Sequence, residues 1–156
     1  MRAKTILAFF VALTPVAATA ASPAPPMPPS AIMQLANAVV DASNTNDAAK
    51  LAKLYTSDAV VVDEVPPFVW RGSSAGVAWW HAVGAFLKNE RHHIKLVDVR
   101  NGEFQSTATD AYLIQAMTIL ELGNGQPASE SGTWTYTFRN SGGAWLISSQ
   151  VWTTKP

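Results

Sequence analysis

The stretch Gly132–Thr154, "GTWTYTFRNSGGAWLISSQVWTT", alternates large apolar and small polar residues with a period of two. Trp134, Tyr136 and Phe138 fall on one side and Thr133, Thr135 and Thr137 on the other, as successive side chains of a β-strand do. "NSGG" (Asn140–Gly143) supplies turn residues, and "AWLISSQVWTT" resumes the extended pattern. Two earlier segments read the same way: "IKLVDVRNGEF" (Ile94–Phe104) and "AYLIQAMTILEL" (Ala111–Leu122). Asn101-Gly102 and "GNGQPASES" (Gly123–Ser131) serve as breaks, so the second half of the chain predicts a four-stranded meander.

Upstream of the meander the period changes to that of a helix. Ser30 can cap "AIMQLANAVVDASN", in which Ile32, Leu35, Ala36 and Val39 share one face. "NTND" breaks that helix, and Asn46 or Asp47 can cap a second, "AAKLAKLY", with Ala48, Leu51 and Tyr55 on one face. "DAVVVDEV" (Asp58–Val65) is a strand whose continuous apolar run predicts burial on both faces. Pro66-Pro67 ends it, because neither residue can donate to a ladder. Ser73 or Ser74 caps a third helix, "AGVAWWHAVGAFLKNE", with Trp79, Val83 and Phe86 on one face. Helices segregated from a curled antiparallel sheet make an α+β domain.

The N-terminus carries a different message. "MRAKTILAFFVALTPVAATA" has a basic start, a short apolar centre and a small-x-small end at Ala18-Thr19-Ala20, the layout of a cleaved export signal over residues 1–20. Residues 21–30, "ASPAPPMPPS", read as an extended tether, since five of the nine residues from Ala21 to Pro29 are proline. The folded domain is then 31–156, a length that suits a single core. Without the signal, nine basic residues face eleven acidic ones, a net charge of about −2. No basic stripe runs along the chain, so no nucleic-acid partner is expected, and the apolar start is too short for a stable membrane anchor. With no cysteine there is no disulfide framework, and stability rests on the apolar core.

The run "LYTSDAVVVDEVPPFVWRG…AWW", with the closing strands "GTWTYTFRNSGGAWLISSQVWT", resembles the nuclear transport factor 2-like (NTF2-like) superfamily in its SnoaL-like branch, over Ala31 to Thr154. The resemblance implies a cone, in which three N-terminal helices pack in a strongly curved antiparallel sheet around a deep apolar cavity. It also implies a homodimer formed through the outer sheet face, for which the threonine-rich "TWTYT" and "VWTT" are compatible residues. The superfamily includes ketosteroid isomerases, polyketide cyclases, dehydratases, epoxide hydrolases and members that only bind. Asp63 takes the place of the isomerases' catalytic aspartate, at the end of the matching strand. The isomerases' two oxyanion donors fall near Val39, which cannot donate, and Trp134, whose indole N–H can.

Asp63 and Glu64 admit two readings. Acids at a strand end commonly start a turn by bonding nearby backbone N–H groups. An acid at the mouth of an apolar cavity instead gains proton affinity and can act as a general base. Strand alternation puts the two on opposite faces, so one of them sees the cavity, and Asp63 is the choice that the resemblance makes. His81 lies about 200° around the third helix from Val83 at ~100° per residue, a rim position open to solvent or to a proton shuttle. The pair His92-His93 diverges on a strand, and no set of three or four ligands with metal spacing is present, so no metal and no cofactor is expected.

Six tryptophans are many for this length. Trp80, Trp134, Trp152 and Tyr136 are candidate cavity walls, Trp70 a candidate roof, and Tyr55 and Gln115 candidate polar contacts to a ligand. Gln115 interrupts an apolar alternation with Leu113, Met117 and Ile119, so its amide needs a partner. These residues give an exported domain that binds a small hydrophobic molecule in an apolar cavity. The alternative is a cofactor-independent isomerase, dehydratase or hydrolase with Asp63 as general base, assisted by His81, Tyr55 or Gln115. A carbohydrate binder with a flat platform of exposed tryptophans is a third reading.

Overall fold

The computed structural model describes residues 29–90, 92–123 and 128–155. The expected signal and most of the expected tether lie outside the described residues. Three helices, α1 (Ser30–Thr45), α2 (Ala48–Leu51) and α3 (Ala75–Glu90), accompany six strands in one sheet. The strands are β1 (Tyr55–Val62), β2 (Val69–Arg71), β3 (His92–Ser106), β4 (Asp110–Gly123), β5 (Ala128–Ser141) and β6 (Ala144–Thr154). Their order across the sheet is β2-β1-β6-β5-β4-β3. The α+β cone and its antiparallel meander are as the sequence pattern predicts. One junction differs: β1 joins β6 in parallel, with Val61 opposite Gln150.

Pro29, and not Ser30, stands at the N-cap of α1, where its carbonyl accepts from Ile32 and Met33 N–H at 3.0 and 3.2 Å. Ile32, Ala36, Val39, Val40 and Ala42 form the buried face. The helix ends at Asn46 in the left-handed region (φ 55°), which a short polar side chain tolerates. α2 is a single turn capped by the Asp47 side chain on Lys50 N–H, so Tyr55 starts β1 instead of closing a helix. β1 buries Ala59 and Val61 fully but leaves Val60 and Val62 half-buried, which corrects the expectation of burial on both faces. Helices cover only one face of this sheet, and the alternation follows from that.

Asn101-Gly102 lies within β3, where the register shifts between Asn101 and Phe104, and is not the break between strands. A second shift lies between Val97 and Arg100, around Asp98 at φ 52°. Such irregularities bend a strand and increase its twist, which is how β3 follows the curve of the sheet. The Asn44 side chain spans this region, accepting from Leu96 N–H at 2.8 Å and donating to Leu96 C=O at 3.1 Å.

The inner face of β5 carries Gly132, Trp134, Tyr136 and Phe138 in register with Thr154, Trp152, Gln150 and Ile147 of β6. Gly132 has no alternative there, because an added Cβ would meet the Trp152 ring and Thr153 C=O. Deeper in the cone, Tyr55 O–H donates to Gln150 Oε1 at 2.5 Å, and burial raises the proton affinity of both Tyr55 and Tyr136 so that they stay neutral phenols. Tyr136 O–H is fully buried with no partner among the described residues. The two hydroxyls therefore differ in worth. We expect Tyr55→Phe to lose about 1–3 kcal/mol of unfolding free energy, because Gln150 Oε1 is left buried without a donor. Tyr136→Phe should be neutral or stabilising. Urea denaturation of both variants measures the contrast.

Candidate functional site

Asp63 follows the last residue of β1, and from there the chain turns back on itself. Asp63 N–H donates to Phe68 C=O at 3.1 Å, and Phe68 N–H donates to Val65 C=O at 2.9 Å. The Asp63 carboxylate has two partners. Oδ1 accepts from Val65 N–H at 3.1 Å, and Oδ2 accepts from the indole N–H of Trp79 at 2.9 Å. One oxygen therefore caps the turn, as a strand-end acid is expected to, while the other reaches toward the core.

Trp79 opens a chain of four rings. Its centroid lies 5.5 Å from that of Trp80, and it meets Trp134 edge to face at 5.9 Å. Trp134 in turn meets Trp152 edge to face at 6.3 Å. These four indoles, with Val83, Leu87, Leu96 and Ile119, line a cavity with a free volume of about 80 Å³. That is below the roughly 300–1,000 Å³ of ordinary ligand pockets, so the cavity suits a compact molecule.

The polar atoms of the lining belong mainly to acids: Asp63, Glu64, Glu121 and Glu130. Glu130 Oε1 accepts from Trp152 Nε1 at 3.2 Å and from Thr154 Oγ1 at 2.8 Å. The Thr154 hydroxyl also lies 3.0 Å from Glu64 Oε2, so its one proton is shared between two carboxylates. Burial pushes the proton affinity of Asp63 above the usual carboxylate range; the N–H groups of Val65 and Trp79 oppose this, and the charge of Glu130 adds to it. Glu64 is raised as well, by desolvation first and then by Glu130 and Asp63, against the Thr154 hydrogen bond.

The expected site residues are distributed unevenly. Asp63, Trp80, Trp134 and Trp152 line the cavity. Glu64 lines it too, which corrects the expectation that only one of the two acids can; β1 ends at Val62, so strand alternation does not apply to the pair. Tyr55, Trp70, Gln115 and Tyr136 are buried in the core and are not among the lining residues. The Gln115 amide donates to Asn101 Oδ1 at 3.2 Å, Tyr55 is held by Gln150, and Trp70 lies within β2 and is not a roof. His81 is exposed on α3 and is not in the lining either. None of His81, Tyr55 and Gln115 bonds to Asp63, whose partners are Trp79 and Val65.

Trp79, Glu130 and Thr154 were not foreseen as site residues. Period-two extension would have found two of them, because an inward Trp134 implies an inward Glu130, and an inward Trp152 an inward Thr154. "ASES" instead reads as a loop by composition, although β5 already begins at Ala128. The side chains of His92 and His93 are not described. Among the described residues no group of three or more His, Asp or Glu is arranged to hold a metal ion.

The sequence profile of the SnoaL-like domain matches residues 29–151. No curated protein matches in sequence. Among solved structures, a ketosteroid isomerase-like protein from Erwinia carotovora atroseptica has a TM-score of 0.67 at 20% identity, covering 81% of this chain and 96% of that one. The hexachlorocyclohexane dehydrochlorinase LinA-type3 from Novosphingobium barchaimii has a TM-score of 0.64 at 16% identity, covering 81% and 86%. A protein with a cystatin-like fold from Caulobacter vibrioides has a TM-score of 0.62 at 21% identity, covering 81% and 89%. At these identities the likeness establishes a shared fold.

Two measurements check the electrostatics of the site. Carboxyl NMR should place the Asp63 titration above the ordinary value of ~3.9. Trp79→Phe removes a donor to the charged form and should move that titration further up. In stability, Asp63 and Glu64 hold their protons more tightly in the folded protein than in the unfolded chain. Their contribution is therefore full below the unfolded values and is lost as pH rises through the folded ones. Denaturation at a series of pH values should show the unmodified protein losing stability relative to Asp63→Asn across that window.

Proposed function

The chain belongs to the SnoaL-like domain family, and on that premise we propose that it binds a compact hydrophobic molecule in the tryptophan-walled cavity. The observation that carries this reading is the cavity itself, an apolar enclosure of about 80 Å³ between α3 and the inner sheet face with convergent polar groups at its rim. The experiment is an NMR titration of the protein with cyclobutanol. Saturable shifts confined to the indole N–H signals of the lining tryptophans are expected, weakened in Leu87→Trp, where the added ring occupies the cavity. Shifts spread over the surface, or none that saturate, would sink the reading.

One observation favours a second reading, in which Asp63 acts as a general base. Its carboxylate is partly desolvated and its proton affinity is raised, as proton abstraction from carbon requires. The solved structures of similar fold include a ketosteroid isomerase-like protein and a dehydrochlorinase. The donor inventory weighs against it. The indole N–H groups of Trp79, Trp80 and Trp152 already donate to Asp63, Asn46 and Glu130, which leaves Trp134 as the indole that can face an oxyanion. This reading requires the protein to exchange the acidic C–H protons of cyclobutanone with D2O, and Asp63→Asn to abolish the exchange. Export and pairing of two copies belong to the same proposal, supported by the N-terminal sequence and the threonine-rich outer face. N-terminal sequencing of the exported protein and sedimentation equilibrium test them.

A further inference from the structure

The cavity has an electrostatic sign as well as a shape. Asp63, Glu64 and Glu130 all line the cavity, and the charge of Glu130 adds to the raised proton affinity of both Asp63 and Glu64. None of the described lining residues is a lysine, arginine or histidine. Trp79 and Trp152, the indoles beside these acids, spend their N–H groups on carboxylates, and both rings line the cavity. Trp134 adds a donor to the enclosure. Its side chain is 2% exposed and lines the cavity, and its N–H carries no hydrogen bond to the described residues without being one of their buried, unpartnered atoms. An indole N–H left open at a cavity wall can donate to an oxygen of a bound molecule.

We infer that the cavity selects compact organic cations, a protonated amine or quaternary ammonium on a small hydrophobic body, with the charge at the Asp63–Glu64–Glu130 rim and the body among the indoles. The inference rests on the ligand-binding reading above and names its ligand class. Three considerations decide the sign of the ligand's charge. A cation offsets the mutual repulsion of the three carboxylates, whereas an anion adds a fourth negative charge in a partly desolvated place. Indole faces attract ammonium groups through their negative π-surfaces, most strongly when water is excluded. A neutral molecule gains the apolar contact but leaves the carboxylates unpaired, and so falls between the two. The free Trp134 N–H gives a hydroxyl, ether or carbonyl oxygen on the hydrophobic body a place to accept.

Three probes of matched shape test this: cyclobutylamine, cyclobutanol and cyclobutanecarboxylate, titrated calorimetrically into the protein at mildly alkaline pH. There the carboxylates are ionised and the amine is still protonated. The expected order is amine tighter than alcohol by at least about tenfold, with no measurable binding of the carboxylate. The double variant Glu64→Gln/Glu130→Gln should narrow the amine–alcohol gap several-fold, and raising the salt concentration should narrow it in the unmodified protein. Circular dichroism confirms that the variant is folded, and the salt series stands without the variant. Alcohol binding equal to amine binding, or carboxylate binding tightest, overturns the charge inference while leaving the cavity reading intact. No binding of any probe overturns both.

Discussion

Trp134 meets three other aromatic rings edge to face, those of Trp79, Tyr136 and Trp152, at centroid distances of 5.9, 5.9 and 6.3 Å. The three partners belong to α3, β5 and β6, so one side chain ties the third helix to the two central strands of the sheet. Each such pair contributes about 0.5–1.5 kcal/mol beyond area burial. Geometry matters more here than energy. An edge-to-face ring has little freedom to slide, so Trp79 is held where its N–H reaches Asp63. The carboxylate in turn fixes the turn after β1 through Val65. Packing in the core and the position of the acid are thus one constraint.

The surroundings of that acid explain why the site is negative. Partial burial of a carboxylate costs free energy unless hydrogen bonds or a counter-charge offset it. Asp63 has two hydrogen bonds, Glu130 has two donors, and Glu64 shares one of these. No lysine or arginine is among the described lining residues. By contrast, Asp58 is paired with Arg139 at 2.9 Å on the exposed surface, and its carboxyl is held below the usual range. Asp58 is thus paired with a cation where water already solvates it, whereas the partners of Asp63, Glu64 and Glu130 among the described residues are hydrogen-bond donors. That arrangement leaves room for a counter-charge from outside the chain.

The meander was legible because period-two alternation is a local property. β6 spans Ala144–Thr154, the residues of its sequence pattern, and the inward set Trp134, Tyr136 and Phe138 is buried as the alternation requires. α3 likewise covers the segment that its pattern marks out. Boundaries suffered where a polar stretch continues a ladder: "ASES" lies in β5 because backbone pairing to β4, as in Glu130 opposite Ile119, holds it extended whatever its composition. Tyr55 was read as the end of a helix because its spacing from Leu51 suits one. The Gln150 acceptor, 95 positions away in sequence, belongs to a strand.

By itself the sequence determined the three helices, the first strand and the four-stranded meander, the inward face of β5, the α+β cone with its family membership, and Asp63 as the residue to watch, but not the short strand β2. These follow from local periodicity, and from a strand whose end carries an acid. Tertiary structure alone decided which polar groups share the site. Glu64, Thr154 and Glu130 are separated by up to 90 positions, and Trp79 lies 16 positions from Asp63 on another element. No local period encodes such pairings, because they depend on where the sheet's curvature and the turn after Val62 bring distant side chains. The same curvature took Tyr55, Gln115 and Tyr136, plausible as ligand contacts by face, into the solid core below the cavity. A strand's alternation says which side a residue faces; only the packing of helices over that side decides whether the residue meets a cavity or another side chain.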